Sequence, residues 1–102
     1  MNNIEITDDN NLKCRFAIFK NTNLKLTSGE VLKNFKLAFK TFGSLNENKT
    51  NAILICHALT GDQYVTGHNP ITGKDGWWAR MVGPDKPIDT NKFFVICSNV
   101  LG

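Results

Sequence analysis

Apolar and polar positions fall into three kinds of run along this chain. The plainest is Ala52–Cys56, an unbroken apolar stretch closed by an abrupt turn, His57-Ala-Leu-Thr-Gly61. A run this short, with β-branched Ile53 and Ile55, predicts a strand; without alternation it predicts one covered on both faces. Residues 93–101, Phe-Phe-Val-Ile-Cys-Ser-Asn-Val-Leu, predict a second doubly buried strand. Residues 34–42 alternate instead, with Phe35, Leu37, Phe39 and Thr41 on one face and Asn34, Lys36, Ala38 and Lys40 on the other. One buried and one wet face suits an antiparallel or peripheral strand. Residues 14–20 predict an earlier strand, and Leu24-Lys-Leu26 a short alternating one before the turn signal Ser28-Gly-Glu30. Residues 1–13 are polar and commit to nothing, residues 43–50 read as a polar connector, and residues 62–76 as a loop with three glycines and a proline. Only residues 76–83 pass as a helix, of barely two turns, stopped by Pro84 and Pro87.

Doubly buried strands require helices on both faces of their sheet, and about one short helix is on offer. The expected fold class is therefore α/β, with the early strands of a central sheet, few helices, and an incomplete covering layer. Residues 1–50 supply peripheral strands, residues 51–102 two core strands and a loop, with no second domain. The reading that follows is an N-terminal portion of a larger domain: a fragment, a truncated product or one piece of a split one.

Charge and cysteine usage narrow the classes. The net charge is +3, with eight Lys/Arg against five Asp/Glu in residues 1–49 and four of each in residues 50–102. Lys33, Lys36 and Lys40 read as a solvated strand face, short of the dense basic patch that nucleic acid requires. No stretch approaches the ~20 apolar residues of a membrane span. The N-terminus lacks the basic and apolar regions of a secretory leader, so the expected location is cytoplasmic. Cys14, Cys56 and Cys97 form no C-x-x-C pair, and Cys56 and Cys97 lie in apolar runs, so buried free thiols are expected. Cys56 and His57, adjacent on a strand, point to opposite faces, which argues against a metal shared with His68.

Candidate chemistry gathers after the first buried strand. A strand ending in His-small-x-x-Gly aims a backbone N–H over the carboxyl edge of its sheet, where open α/β sheets bind ligands. The pieces fit the early half of an α/β-hydrolase sheet, in which one oxyanion-hole N–H comes from the loop after the third strand. Leu59 is the residue placed to offer that N–H. His57 reads as a hydrogen-bond partner of the loop backbone rather than a base, and Gly61 as the close of the turn. Asp62 reads as a cap, with substrate contact the alternative, and His68 as solvated. Trp77 and Trp78 read equally as core or as channel lining. Thr60, Asp62 and Asn99 stand nearest any substrate, Asn99 with Ser98 as support at the end of the last strand.

The motifs are more specific than any of these alone. Cys56-His-Ala-Leu-Thr-Gly-Asp62, Gly76-Trp-Trp78, Gly83-Pro84, Lys86-Pro-Ile-Asp-Thr90, Phe94 through Asn99 to Gly102, and Leu37-Ala-Phe-Lys-Thr-Phe-Gly43 with Leu45-Asn46 together resemble the homoserine O-acetyltransferase family over residues 24–102. Asp85 departs from the pattern, which more often has a small residue there, and residues 46–51 are more polar than usual. The resemblance implies an acyltransferase of methionine biosynthesis. Such an enzyme moves acetyl from acetyl-CoA to L-homoserine through an acyl-serine. It implies acetyl-CoA as cosubstrate with no bound cofactor, and a homodimer for the complete enzyme. The family's Ser, Asp and His follow in chain order beyond residue 102, and Ser28, Ser44 and Ser98 sit in no G-x-S-x-G context. Only Leu59 carries over, as an oxyanion donor, so the chain alone is expected to be inactive. A separately encoded C-terminal part is the implied partner, with no nucleic acid and no membrane. The alternatives are a non-catalytic remnant or split-gene subunit, and a hydrolase or a serine/homoserine succinyltransferase of the same fold.

Overall fold

The computed structural model describes residues 3–101. Met1 and Asn2, at the start of the stretch read for a secretory leader, and Gly102, which closes the last motif, lie outside that range. Among the described residues there are nine strands and no helix. β1 (Ile4–Asp9), β2 (Cys14–Phe19), β5 (Lys36–Phe42), β6 (Ala52–Cys56) and β9 (Phe94–Ser98) form one sheet in the order β1-β2-β5-β9-β6. β3 (Asn23–Lys25) and β4 (Val31–Lys33) pair as a hairpin around the turn at Ser28-Gly-Glu30. β7 (Val82–Gly83) and β8 (Ile88–Asp89) form a small parallel pair.

β5 is antiparallel to both its neighbours, as its alternation predicts, whereas β6 and β9 are parallel. Parallel neighbours need a long crossover, usually a helix; here residues 57–93 make it without one. Cross-strand partners share a face, so the register puts Lys40, Phe42, Ile53, Ile55, Val95 and Cys97 on one side of the sheet. The crossover lies across that side. Ile55, Val65, Val82, Val95 and Cys97 form the buried core there, with Phe42, Trp78 and Met81 packed against it.

The other side is bare. Leu37, Phe39, Thr41, Phe94, Ile96 and Leu54 share it, none of them buried, and Leu54 is 64% exposed. This corrects four expectations. Neither Ala52–Cys56 nor the strand in residues 93–101 is covered on both faces: only Ile55 is buried on β6 and only Val95 and Cys97 on β9, because this stretch of chain lays cover over one side of the sheet. Cys56 is exposed, while Cys14 and Cys97 are buried. In β5 the face read as wet is the covered one, and Lys40 holds its ammonium 5.4 Å from the ring centres of both Phe42 and Tyr64. Finally, residues 76–83 are not helical. The Trp77 and Trp78 amides bond to the carbonyls of Tyr64 (3.2 Å) and Val65 (2.8 Å), and the local bonds that follow, Ala79 N–H to Gly76 O and Met81 and Val82 N–H to Trp78 O, close turns without continuing as a helix.

Two local features account for Asp85 and for the polar stretch at residues 46–51. Asp85 has φ 61°, in the left-handed region that Gly, Asn and Asp tolerate. The polar residues 46–51 are a set of side-chain caps: Asn46 Oδ1 accepts the Thr50 N–H at 2.8 Å. Asn51 Nδ2 donates to the carbonyls of Ser44 (2.9 Å) and Lys92 (3.0 Å) and so joins the starts of β6 and β9.

Candidate oxyanion turn

β6 and β9 end in register, Cys56 opposite Ser98, so His57 and Asn99 leave the sheet at the same carboxyl edge. The chain then reverses. Gly61 donates its N–H to the Ala58 carbonyl at 2.9 Å, closing a β-turn over residues 58–61 with Leu59 and Thr60 at its centre. The Leu59 side chain is 99% exposed, and among the described residues its N–H has no partner. His57 Nδ1 lies 2.6 Å from the same Ala58 oxygen. Glycine is required at position 61 because a Cβ there would stand 2.7 Å from His57 Cβ.

Beneath the turn the crossover is clamped. The Asp62 carbonyl accepts the Trp77 indole N–H at 3.0 Å and the Cys97 thiol at 3.5 Å, and its carboxylate accepts the Tyr64 N–H at 2.9 Å. The Tyr64 hydroxyl donates to the Leu12 carbonyl, and Thr66 Oγ1 to the Val82 carbonyl at 2.7 Å. Gly76 completes the clamp: a Cβ there would meet Thr66 N and Cα at 2.4 Å. Burial, with the nearby charges of Asp62 and Cys56 adding to it, pushes the Cys97 thiol up to about 11. Burial also leads in pushing the Tyr64 hydroxyl up to about 12, helped by its contact with Cys14. Both groups are thus neutral structural members at physiological pH rather than nucleophiles or bases.

Thr60 stands exposed in the turn. Asp62 has one carboxylate oxygen committed to the Tyr64 N–H. Asn99 is tied down by its own backbone, donating to the Ala38 carbonyl at 2.8 Å, while its Oδ1 accepts the Val100 N–H at 2.8 Å. His68 is exposed and bridges to Asp75 through the backbone. Of the two tryptophans, Trp78 packs against the core and Trp77 stacks on it, with ring centres 5.9 Å apart. Sequence reasoning passed over Gln63, Tyr64, Val65 and Thr66, all buried; the β-branched pair Val65-Thr66 inside a Gly-rich loop was the available signal. Chemically the edge offers a free N–H donor in a hydrogen-bonded turn.

No family model matches the chain. It is similar to the homoserine O-acetyltransferase of Pelagibacter ubique, at 65% identity over 79 residues, which are 78% of this chain and 21% of that protein. Among solved structures it is similar to the homoserine O-acetyltransferase of Bacillus anthracis. That match has TM-score 0.69 and 29% identity, covering 97% of this chain and 24% of the other. It is also similar to an acetylester hydrolase of Corynebacterium glutamicum, with TM-score 0.60 and 31% identity over 87% of this chain and 22% of the other. The chain spans about a fifth of the length of the curated relatives it matches.

Proposed function

Because the chain belongs to the homoserine O-acetyltransferase family and corresponds to the early strands of its α/β-hydrolase fold, we propose that it supplies one half of an oxyanion hole for acetyl transfer from acetyl-CoA to L-homoserine. The observation that carries this reading is the unpartnered Leu59 N–H, held in a glycine-closed turn at the carboxyl edge. When a serine oxygen adds to a thioester carbonyl, the carbonyl oxygen takes on negative charge, and a pre-aimed N–H stabilises that charge more than it stabilises the ground state. The serine, its histidine base and the aspartate belong to the remainder of the fold. So does the second oxyanion N–H, from the residue after the nucleophile. Thr60 and Asn99 flank the acyl group at the same edge, and Asp62 holds the turn's exit. The chain by itself is then inactive, since covalent transfer needs a nucleophile and its base.

The bare sheet face and the unpaired outer edge of β6 are the surfaces that the remainder covers, whether it is joined to this chain or made separately. Among the described residues no helix is long and apolar enough to cross a membrane.

Leu59→Pro tests the reading cleanly. Proline is favoured at the second position of a β-turn, where Leu59 stands; it removes the N–H, and the side chain lost with it is exposed. In an enzyme completed with the remainder of the fold, kcat should fall by about a hundred- to a thousandfold. Unchanged kcat sinks the oxyanion role. A second reading, hydrolysis of small acetyl esters, is favoured by the likeness to the acetylester hydrolase. Acetyl-CoA turnover that ignores L-homoserine would select it.

A further inference from the structure

We infer that His57 is a positioning residue, locked as the Nδ1–H tautomer, whose ring fixes the turn that presents the Leu59 N–H; this deepens the function proposed above and rests on it. A carbonyl oxygen can only accept, so the 2.6 Å contact between Nδ1 and the Ala58 oxygen requires a proton on Nδ1. In the neutral ring the lone pair is then on Nε2. The same carbonyl also accepts the Gly61 N–H at 2.9 Å. Ala58 O is thus the point at which the imidazole and the turn are joined. From the other side, the ring's Cβ sits against the bare Cα of Gly61, where a methyl would come within 2.7 Å of it and within 3.2 Å of Cγ. The imidazole is wedged between the first carbonyl of the turn and its last residue. Its removal frees Ala58 O to rotate, and the Leu59 N–H belongs to that same peptide plane. Ala58 O and the Leu59 N–H therefore move as one body. A ring that holds the oxygen also aims the donor.

The chain has two histidines, His57 and His68, so selective ¹⁵N-imidazole labelling gives a spectrum of two rings. The expected result is one ring fixed as Nδ1–H at neutral pH, with the signal lost in His57→Asn. A free-histidine mixture of tautomers in both rings, or an Nε2–H ring at position 57, overturns the inference. The kinetic arm uses the completed enzyme. Asn places its amide N–H near the Nδ1 position and Gln nearer Nε2, so His57→Asn should retain kcat within about threefold. His57→Gln and His57→Ala should lose about ten- to a hundredfold in kcat with KM unchanged. Equal losses in the Asn and Gln variants overturn the inference, as does a loss confined to KM. Leu59→Pro separates the two ideas. If it is harmless while the tautomer is fixed, the oxyanion reading has failed and the wedge stands. If it is damaging while the tautomer is free, the wedge has failed and the oxyanion reading stands.

Discussion

The two faces of the five-stranded sheet are made from the same strands and have opposite fates. On one, Val95, Cys97 and Ile55 are buried beneath the crossover. On the other, Leu54, Ile96 and Phe39, their neighbours along the same strands, are half-buried or exposed. Composition does not separate them, since both faces are apolar. What separates them is whether this chain contains the layer that covers them. The covered face needs no helix, because residues 62–82 lie over it and satisfy their own backbone groups by pairing with one another. That local self-sufficiency is what holds the Leu59 turn in place. The open face indicates the need for a partner layer, in keeping with relatives of which the matched stretch is only about a fifth.

The largest break in this comparison should come from Gly76→Ala. Its new methyl would stand 2.4 Å from backbone atoms of Thr66, which cannot step aside as a side-chain tip can. Overpacking against backbone should cost about 3 kcal/mol or more and detach the crossover, leaving both faces wet. Urea unfolding followed by the fluorescence of Trp77 and Trp78 reads it out. A midpoint within error of the parent would mean that the clamp does not hold the cover.

A paired substitution sharpens the contrast. Val95 is fully buried and Leu54 64% exposed, although the two are near neighbours in adjacent strands. Val95→Ala should destabilise by about 2 kcal/mol, and Leu54→Ala, in the chain alone, by no more than about 0.5 kcal/mol. In the completed enzyme the Leu54→Ala cost should rise to that of a core leucine, about 2–5 kcal/mol. A Leu54 cost that is the same in both settings would show that nothing packs on the open face.

The same contrast explains how much could be read in the chain. β5, β6 and β9 were legible because runs of Ile, Val and Phe carry their own signal, and the turn at residues 57–61 because a histidine, a small residue and a glycine punctuate it. Burial was less legible: residues 52–56 have the composition of a doubly covered strand, but one cover is not in this stretch of chain. β1 was hidden by its polar residues, being an end strand whose Glu5 and Asp8 face water. The false helix at residues 76–83 came from counting apolar residues without the carbonyls of Tyr64 and Val65, which take the Trp77 and Trp78 amides. Pairing between distant segments is not a local property of either one.

The smallest expected effect lies at the rim of the crossover. Asp89 accepts the backbone N–H groups of Asn91 at 2.9 Å and Asp85 at 3.1 Å, and these, led by Asn91, hold its carboxyl below the usual carboxylate range, with Lys92 assisting. A carboxyl whose folded pKa is depressed stabilises the fold above its unfolded value, about 3.9. That stabilisation fades as pH falls from there through the folded value. Acidification should therefore loosen the turn that carries Asp85 at φ 61° before it disturbs the sheet. Asp89→Asn keeps an acceptor oxygen and removes the titration. Amide exchange at Asp85 and Asn91, followed from neutral pH into the acid range and corrected for intrinsic rates, should show protection lost with acid in the parent and nearly flat in the variant. Amides of β9 should be unaffected in both. Parallel acid profiles at Asp85 in parent and variant would show that the turn is held by its backbone alone.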